Sequence, residues 1–355
     1  MPRSVVFVGN CQLGVLAHVY RQVIGDTIED RVSWLPAYQP ADPDQCRMVA
    51  TCDILVRQVL DFVPRIGDLD RAGAEFLFPH VSGAFLWPYS GAPHPRNAPA
   101  PFLDEGGAYP AELGDAFLDG MIRADVPPAE AVARYRETDV ATVRRVDRLA
   151  ELVLHKQRQR DTACGYAFAD LIESRFRTER LFRTQNHPEV SLTLEMAAAL
   201  FVRMGVPEET IAAMQEHPPG GLFPPTEAPL HASVIAHFGL SWVSSEARYR
   251  YFQEGSFSFA EFAERYLGYV WNPLLAEAFH WFWAKDHDRA VAMFERALPL
   301  SPRSDIARAV YADLLIQRGR LAEAEIAALE AAVIAPREAD HRARLGRIAA
   351  LRVSA

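Results

Sequence analysis

The sequence predicts an α/β fold with a mostly parallel N-terminal sheet, a large helical part and tetratricopeptide-like helical repeats at the C-terminus. Two observations support this prediction. Short β-branched runs alternate with helical patterns as far as Phe78, which is typical of a parallel sheet with crossover helices. Near the C-terminus, a pattern of small residues recurs with a fixed period, which indicates a helical array.

The strands are predicted from compact apolar runs, and a helix follows the first of them. Ser4 to Val8 ends in a glycine-asparagine turn, and apolar residues then recur at helical spacing from Leu13 to Val23. Further strands are predicted at 31–35, 53–59 and 75–78. Within the third run, Ile54 to Val56 is apolar without alternation, as expected for a strand covered on both faces.

A long segment rich in proline and glycine, from Ser82 to Pro110, interrupts this pattern and predicts a loop that is either a functional cover or a mobile segment. From about Pro128 onward the spacing of apolar residues predicts helices. A break at Asn186-His187-Pro188 precedes another helix, whose first turn can accept the proline.

The C-terminal repeat is identified by its register. Ala290, Phe294, Ala297 and Pro302 recur 34 positions later as Ala324, Ala328, Ala331 and Pro336, and Ala278, Ala312 and Gly346 keep the same spacing. We therefore predict an α/β domain at 1–265 and repeats at 266–355. The aromatic residues Phe279, Trp281, Phe282 and Trp283 are predicted either to dock the array or to fill its core.

Composition excludes several classes of protein. A chain of 355 residues with 50% hydrophobic content can bury a large core, and a formal charge of -9 argues against nucleic-acid binding. The four cysteines match neither a zinc nor a redox spacing, so no metal is expected. Neither a signal peptide nor a membrane span is predicted, which favours a cytoplasmic location.

The turn after the first strand carries the strongest candidates for chemistry. A cysteine at a helix N-terminus is favoured as a thiolate, so Cys11 is a candidate nucleophile. The amides of Asn10 and Gln12 are candidate oxyanion donors, and Gly9 is a candidate cofactor contact. The alternative is structural: Gly9 permits the turn, Asn10 caps the helix and Cys11 is a small core residue.

Other polar residues follow the predicted strands or lie in the helical part. Arg57, Gln58 and His80 come at or after strand ends and are candidate pocket residues, although Arg57 also suits a structural ion pair. His187 is a candidate general base or a loop-bonding histidine. Arg183, in a segment rich in arginine, is a candidate phosphate contact.

Two motifs together resemble the WcbI-type polysaccharide biosynthesis proteins. They are Val-Val-Phe-Val-Gly-Asn-Cys-Gln at 5–12 and Leu-Phe-Arg-Thr-Gln-Asn-His-Pro at 181–188, and the resemblance covers roughly 3–240. It implies a coenzyme A-binding acetyltransferase that moves an acyl group from acetyl-CoA to a sugar hydroxyl in capsular or cell-surface polysaccharide synthesis. Cys11 would then carry the acyl group or contact the coenzyme A sulfur, and His187 would deprotonate the hydroxyl.

The same resemblance assigns Asn186, with Gly9, Arg57, Gln58, His80 and Arg183, to the coenzyme site. The implied partners are acyl-CoA, a glycan or sugar-nucleotide acceptor, and a protein bound by the repeats. Two alternatives remain from the sequence: an esterase that removes acyl groups from glycans, and a non-catalytic adaptor that acts through its repeats.

Overall fold

The computed structural model describes most of the chain, and every statement below concerns the described part. It comprises residues 3–28, 30–39, 41–60, 73–91, 93–97, 109–220, 222, 226–251, 255–302, 304–336 and 339–353.

Eight strands and sixteen α-helices lie within these residues. The strands are β1 Ser4–Gly9, β2 Arg31–Pro36, β3 Ile54–Val59, β4 Ala74–Pro79, β5 Phe182–Thr184, β6 His187–Pro188, β7 Tyr249–Tyr251 and β8 Gly255–Phe257. The helices are α1 Cys11–Ile28, α2 Pro43–Thr51, α3 Ala116–Arg123, α4 Pro128–Glu137, α5 Val140–Val143, α6 Val146–Cys164, α7 Phe168–Arg175, α8 Val190–Arg203, α9 Glu208–Glu216, α10 Ala232–Phe238, α11 Phe259–Leu267, α12 Pro273–Trp283, α13 His287–Ala297, α14 Asp305–Gln317, α15 Leu321–Ile334 and α16 Ala339–Val353.

The chain divides into two compact units that interleave in sequence. The first comprises residues 1–88, 139–224 and 232–244, and the second comprises 89–138, 225–231 and 245–355. The domain boundary expected near residue 265 stays a prediction.

The first unit contains a four-stranded parallel sheet in the order β2-β1-β3-β4. The strands predicted from sequence are confirmed to within about a residue or two at each end. Because β2 and β3 lie on opposite sides of β1, the direction of the strand order reverses between β1 and β3. Open α/β sheets bind ligands at this reversal, outside the carboxyl ends of the strands.

Both faces of the sheet are covered, which explains the apolar run in β3. On one face, Phe7 of β1 contacts Tyr20 of α1, which in turn contacts Phe201 of α8. On the other face, Val6, Val8 and Leu55 pack with Val49 of α2. Burial on two faces removes the need for alternating polar residues.

The segment at 182–188 differs from the sequence expectation. Instead of leading directly into a helix, His187 and Pro188 form β6, which pairs antiparallel with β5. Glu189 is the N-cap residue of α8, so Pro188 lies before the helix and not in its first turn. The pairing with Phe182 and Thr184 thus gives His187 a fixed backbone position.

The second unit contains α3, α4 and α11, which contact one another, and the repeat helices α12 to α16. The predicted repeat register is confirmed at its core, where Ala278, Ala290, Phe294, Ala312 and Ala324 are fully buried. Gly346 is exposed, and no atom lies within 4 Å of where its Cβ would stand. In the series Ala278, Ala312 and Gly346, close packing therefore requires a small residue at the first two positions but not at the third.

The four aromatic residues of α12 behave differently from one another. Phe279, Trp281 and Phe282 pack against the buried cluster around Phe294, whereas Trp283 is 65% exposed. The core interpretation thus holds for three of them. In the described part of the chain, no helix is both long and apolar enough to cross a bilayer.

Candidate active site

The turn from β1 into α1 brings the polar motif to the carboxyl edge of the sheet. Asn10 accepts hydrogen bonds from the backbone N–H groups of Leu13 and Gly14 through its carbonyl oxygen, and its side-chain Oδ1 accepts one from Gln12 N at 3.0 Å. Asn10 therefore caps the helix, as the structural interpretation of the motif predicts. The same turn places Cys11 at the positive end of the helix dipole.

Cys11 and His187 lie within hydrogen-bonding distance across 176 residues of sequence. Cys11 Sγ is 3.3 Å from His187 Nε2, and both residues are partly exposed. On the other side of the ring, His187 Nδ1 is 3.1 Å from the hydroxyl oxygen of Thr184. A thiol beside an imidazole whose second nitrogen is held by a third group is the arrangement that activates a cysteine nucleophile.

Gln12 connects the elements that carry this pair. Its side chain is 1% exposed, and its Nε2 donates to the carbonyl oxygens of Val81 and Asn186, each at 2.7 Å. Its Oε1 accepts from Val81 N at 3.2 Å and from Gln58 Nε2 at 3.3 Å. Both N–H bonds of the Gln12 amide are thus engaged, so this side chain ties α1 to the residue preceding His187 and has no further amide hydrogen to donate.

The Asn10 amide nitrogen differs from that of Gln12. Although Oδ1 of Asn10 caps the helix, its Nδ2 makes no hydrogen bond within the described residues. It lies in the residue adjacent to Cys11, so it is the side-chain amide of the motif that remains suited to donate to an oxyanion.

Gly9 and Gln58 shape the same edge. Gln58 is buried, and its Oε1 accepts from Asn10 N at 2.8 Å. A Cβ atom at Gly9 would lie 2.6 Å from Gln58 Oε1 and 2.8 Å from Leu13 Cβ. Gly9 is therefore required for close packing of the turn against β3.

The two arginines expected near a cofactor are each paired with a carboxylate. Arg57 Nε donates to Glu75 Oε1 at 2.7 Å, and Arg57 lies on the opposite face of β3 from Gln58, because side chains alternate along a strand. Arg183 Nε donates to Glu189 Oε2 at 2.9 Å, and Arg180 bonds the other oxygen of the same carboxylate. The structure thus brings Gln58, but not Arg57, beside the Cys11 turn.

Asn186 is one of the two residues whose carbonyls Gln12 binds, and His80 precedes the other. His80 precedes Val81, and its backbone N–H donates to Val59 O at 3.2 Å, whereas its carbonyl accepts from Arg160. The side-chain oxygen of Asn186 lies 3.4 Å from the hydroxyl of Ser82. Both residues therefore adjoin the linkage between the sheet and the β5–β6 hairpin.

Thr184 and Ser82 are the residues that sequence reasoning missed. Thr184 lies three positions before His187 within the motif at 181–188, so the pairing of a short hairpin was the signal that could have found it. Ser82 lies three residues after β4, and its Oγ donates to Gln185 O at 3.1 Å. In the described residues, no group of three or more His, Cys, Asp or Glu side chains is arranged to hold a metal ion.

The fold and the site together define an α/β protein with a cysteine-histidine pair at the switch point of a parallel sheet. The family described as "Polysaccharide biosynthesis enzyme WcbI" matches residues 4–209, and a tetratricopeptide repeat matches residues 284–348. The chain therefore belongs to the WcbI family of polysaccharide biosynthesis enzymes and carries a tetratricopeptide repeat at its C-terminus.

A solved structure supports the fold. The chain is 16% identical to a structure of WcbI, with a TM-score of 0.57, covering 84% of this chain and 99% of that one. That protein is described as a novel polysaccharide biosynthesis enzyme, in native form without a disulfide bond between coenzyme A and one of its cysteines. No curated protein matches the chain.

Proposed function

We propose that this protein transfers an acetyl group from acetyl-CoA to a sugar hydroxyl during synthesis of a capsular or other cell-surface polysaccharide. The observation that carries the proposal is the 3.3 Å approach of Cys11 Sγ to His187 Nε2 at the N-terminus of α1. Membership of a polysaccharide biosynthesis family and the mention of coenzyme A for a protein of the same fold support the choice of substrates.

The reaction proceeds in two steps on this pair. His187 takes the thiol proton, and the Cys11 thiolate attacks the thioester carbonyl of acetyl-CoA. The new S–C bond forms as the bond to coenzyme A breaks, and the leaving thiolate receives the proton from His187. In the second step, His187 takes the proton of the sugar hydroxyl, whose oxygen attacks the acetyl-cysteine. The bond between the acetyl carbon and Cys11 Sγ breaks, and the departing thiolate recovers the proton from His187. The alternative, direct attack of the sugar on acetyl-CoA with Cys11 against the coenzyme sulfur, produces no acetyl-enzyme.

The remaining candidates take distinct roles in this proposal. The backbone N–H groups at the start of α1 and Nδ2 of Asn10 stabilise the oxyanion. Gln12 positions the pair, because its amide is already fully engaged. His80 and Asn186 contact the coenzyme near the sulfur, and Gly9 and Gln58 fix the turn. Arg57 and Arg183 are the candidates for contact with the phosphates of coenzyme A, although each is already paired with a carboxylate.

The repeat array has a separate proposed role. Tetratricopeptide arrays are extended surfaces that bind protein partners, and we propose that α12 to α16 bind a protein that acts in the same polysaccharide pathway. A cytoplasmic location fits an enzyme that draws on acetyl-CoA.

The first experiment is titration calorimetry with coenzyme A and acetyl-CoA, followed by acid quenching and intact-mass measurement. We expect saturable micromolar binding and, with acetyl-CoA, a mass increase of one acetyl group that Cys11→Ala abolishes. Binding with no mass increase, but with transfer to an acceptor, would favour direct attack. Absence of coenzyme binding would contradict the transferase.

An esterase that uses the same pair is the rival activity. It would hydrolyse an O-acetylated glycan with no coenzyme A present and would release free acetate. We expect this hydrolysis to be much slower than acetyl transfer, and acetate release measured by a coupled assay distinguishes the two enzymes.

A further inference from the structure

Thr184 occupies a defined place behind the ring of His187. It is the last residue of β5 and pairs with His187 in the antiparallel register of the β5–β6 hairpin. Its hydroxyl oxygen lies 3.1 Å from Nδ1, on the opposite side of the ring from the contact between Nε2 and Cys11. The residue is 1% exposed, so solvent does not compete for this contact.

The hydroxyl of Thr184 is committed to His187. Within the described residues its oxygen has no hydrogen-bond partner besides Nδ1. A second buried threonine, Thr193, shows the usual alternative, because its hydroxyl donates to the carbonyl of Glu189 at 2.9 Å, four residues earlier along α8. A buried hydroxyl that bonds an imidazole and not a backbone carbonyl is thus placed to act on that ring.

We infer that Thr184 is a positioning residue that completes a Cys11–His187–Thr184 triad whose third member is uncharged. The expected effect on acetyl transfer rests on the proposed function, whereas the role of Thr184 in orienting the ring does not. A hydroxyl both donates and accepts, so it bonds Nδ1 whichever tautomer the ring adopts. When Nδ1 carries the proton, Oγ1 accepts a hydrogen bond from Nδ1–H, and the unprotonated Nε2 takes a proton from Cys11 or from the sugar.

The hairpin that carries both residues is anchored at its turn. Gly83 N donates to Gln185 O at 2.8 Å, and Ser82 Oγ bonds the same carbonyl. A Cβ atom at Gly83 would lie 2.6 Å from the ring of Phe182, so the hairpin fits closely over this backbone. Thr184 therefore contacts the ring of His187 from a hairpin whose backbone is held in place at its turn.

The uncharged third member has a chemical consequence. A carboxylate at this place would stabilise the imidazolium form of His187 by its charge, whereas a hydroxyl orients the ring without that effect. The hydroxyl thus holds the ring in one orientation in both protonation states, which suits a residue that must protonate the leaving coenzyme thiolate and then act as a base.

The test compares Thr184→Val, Thr184→Ser and the matched control Thr193→Val in the full chain. Valine keeps the shape of threonine but removes the hydroxyl. For acetyl transfer we expect kcat of Thr184→Val to fall on the order of tenfold or more, with KM for acetyl-CoA little changed. Thr184→Ser should recover most of kcat, and Thr193→Val should retain it.

Two further measurements need no substrate and separate this inference from the proposed function. The 15N signals of His187 report which ring nitrogen carries the proton, and the rate of alkylation of Cys11 by iodoacetamide reports its activation. Alkylation is measured in a Cys46→Ala background, since Cys46 is the other partly exposed cysteine of the chain.

We expect altered His187 signals and slower alkylation in Thr184→Val, and near-normal values in Thr184→Ser. Wild-type signals and alkylation in Thr184→Val would overturn the inference, whether or not acetyl-CoA binds. If the valine variant does not fold, Thr184→Ala replaces it. Thr184→Ala and Thr184→Ser both lose the methyl group and differ only in the hydroxyl, so equal values for these two would also overturn it.

Discussion

At the scale of single residues, the proposed site depends on two side chains that supply different groups. Cys11 supplies a sulfur at the start of α1, and His187 supplies a ring nitrogen 3.3 Å away. Loss of either group removes the proposed nucleophile or its proposed base. Because both side chains are partly exposed, their truncation leaves no large cavity, so the fold should survive.

We predict that Cys11→Ala and His187→Ala each lower acetyl transfer by about two to four orders of magnitude. Circular dichroism and the urea midpoint should stay close to those of the wild-type protein. The matched control is Cys46→Ala, in α2, which also removes a partly exposed thiol but should retain activity. Full activity in both site variants would exclude the proposed mechanism.

At the scale of elements, the contact of α1 with β3 depends on the absence of a side chain at Gly9. We predict that Gly9→Ala destabilises the protein by about 1–3 kcal/mol, because its Cβ would overlap Gln58 and Leu13. Urea unfolding measures this change. Gly120→Ala is the control, since no atom lies within 4 Å of that position and it lies inside α3. A helix-interior alanine is favoured over glycine by up to about 1 kcal/mol, so the control should not lose stability.

The amide of Gln12 joins α1 to the hairpin, and its loss should affect both stability and activity. Gln12→Leu leaves the carbonyl of Val81 without its donor in a buried place and that of Asn186 without its donor in a partly buried one. Each buried group that loses its partner costs about 1–3 kcal/mol. We therefore predict a lower free energy of unfolding and, in the fraction that remains folded, slower alkylation of Cys11. An unchanged urea midpoint would show that these bonds contribute little.

At the scale of the whole molecule, the partly buried Asp115 of the second unit makes stability depend on pH. Burial raises the pKa of Asp115 to about 6, although its carboxylate accepts hydrogen bonds from Tyr135 and from two backbone N–H groups of α3. An unfolded aspartate titrates near 4. The favourable contribution of the protonated group is complete below about pH 4 and is lost as pH rises through about 6.

We predict that Asp115→Asn is most stabilising, relative to wild type, above pH 6, and that this advantage shrinks toward pH 4. The comparison with wild type is necessary because His94 opposes the trend. Burial lowers the pKa of His94 to about 4, so its contribution is lost as pH falls from about 6.5 toward that value. Urea midpoints of both proteins at pH 7.5 and 5 measure the difference. If the urea midpoints of variant and wild type differed equally at the two pH values, the raised pKa of Asp115 would be contradicted.

The sequence by itself determined the features that depend on local periodicity. The strands of the sheet, the helix that follows Gly9 and the register of Ala290 and Ala324 all followed from spacing, because a strand or a repeat helix buries residues at fixed intervals. The position of Cys11 at the end of the first strand came from the same reasoning.

Only the tertiary structure decided which polar groups meet. The approach of His187 to Cys11 and the four hydrogen bonds of the Gln12 side chain join segments that are far apart in sequence. The place of Thr184 behind the ring is set by the register of the hairpin. Periodicity records which face of an element is buried, but a polar side chain can satisfy its hydrogen bonds with many partners. The choice among those partners is made only when the sheet, α1 and the hairpin have packed together.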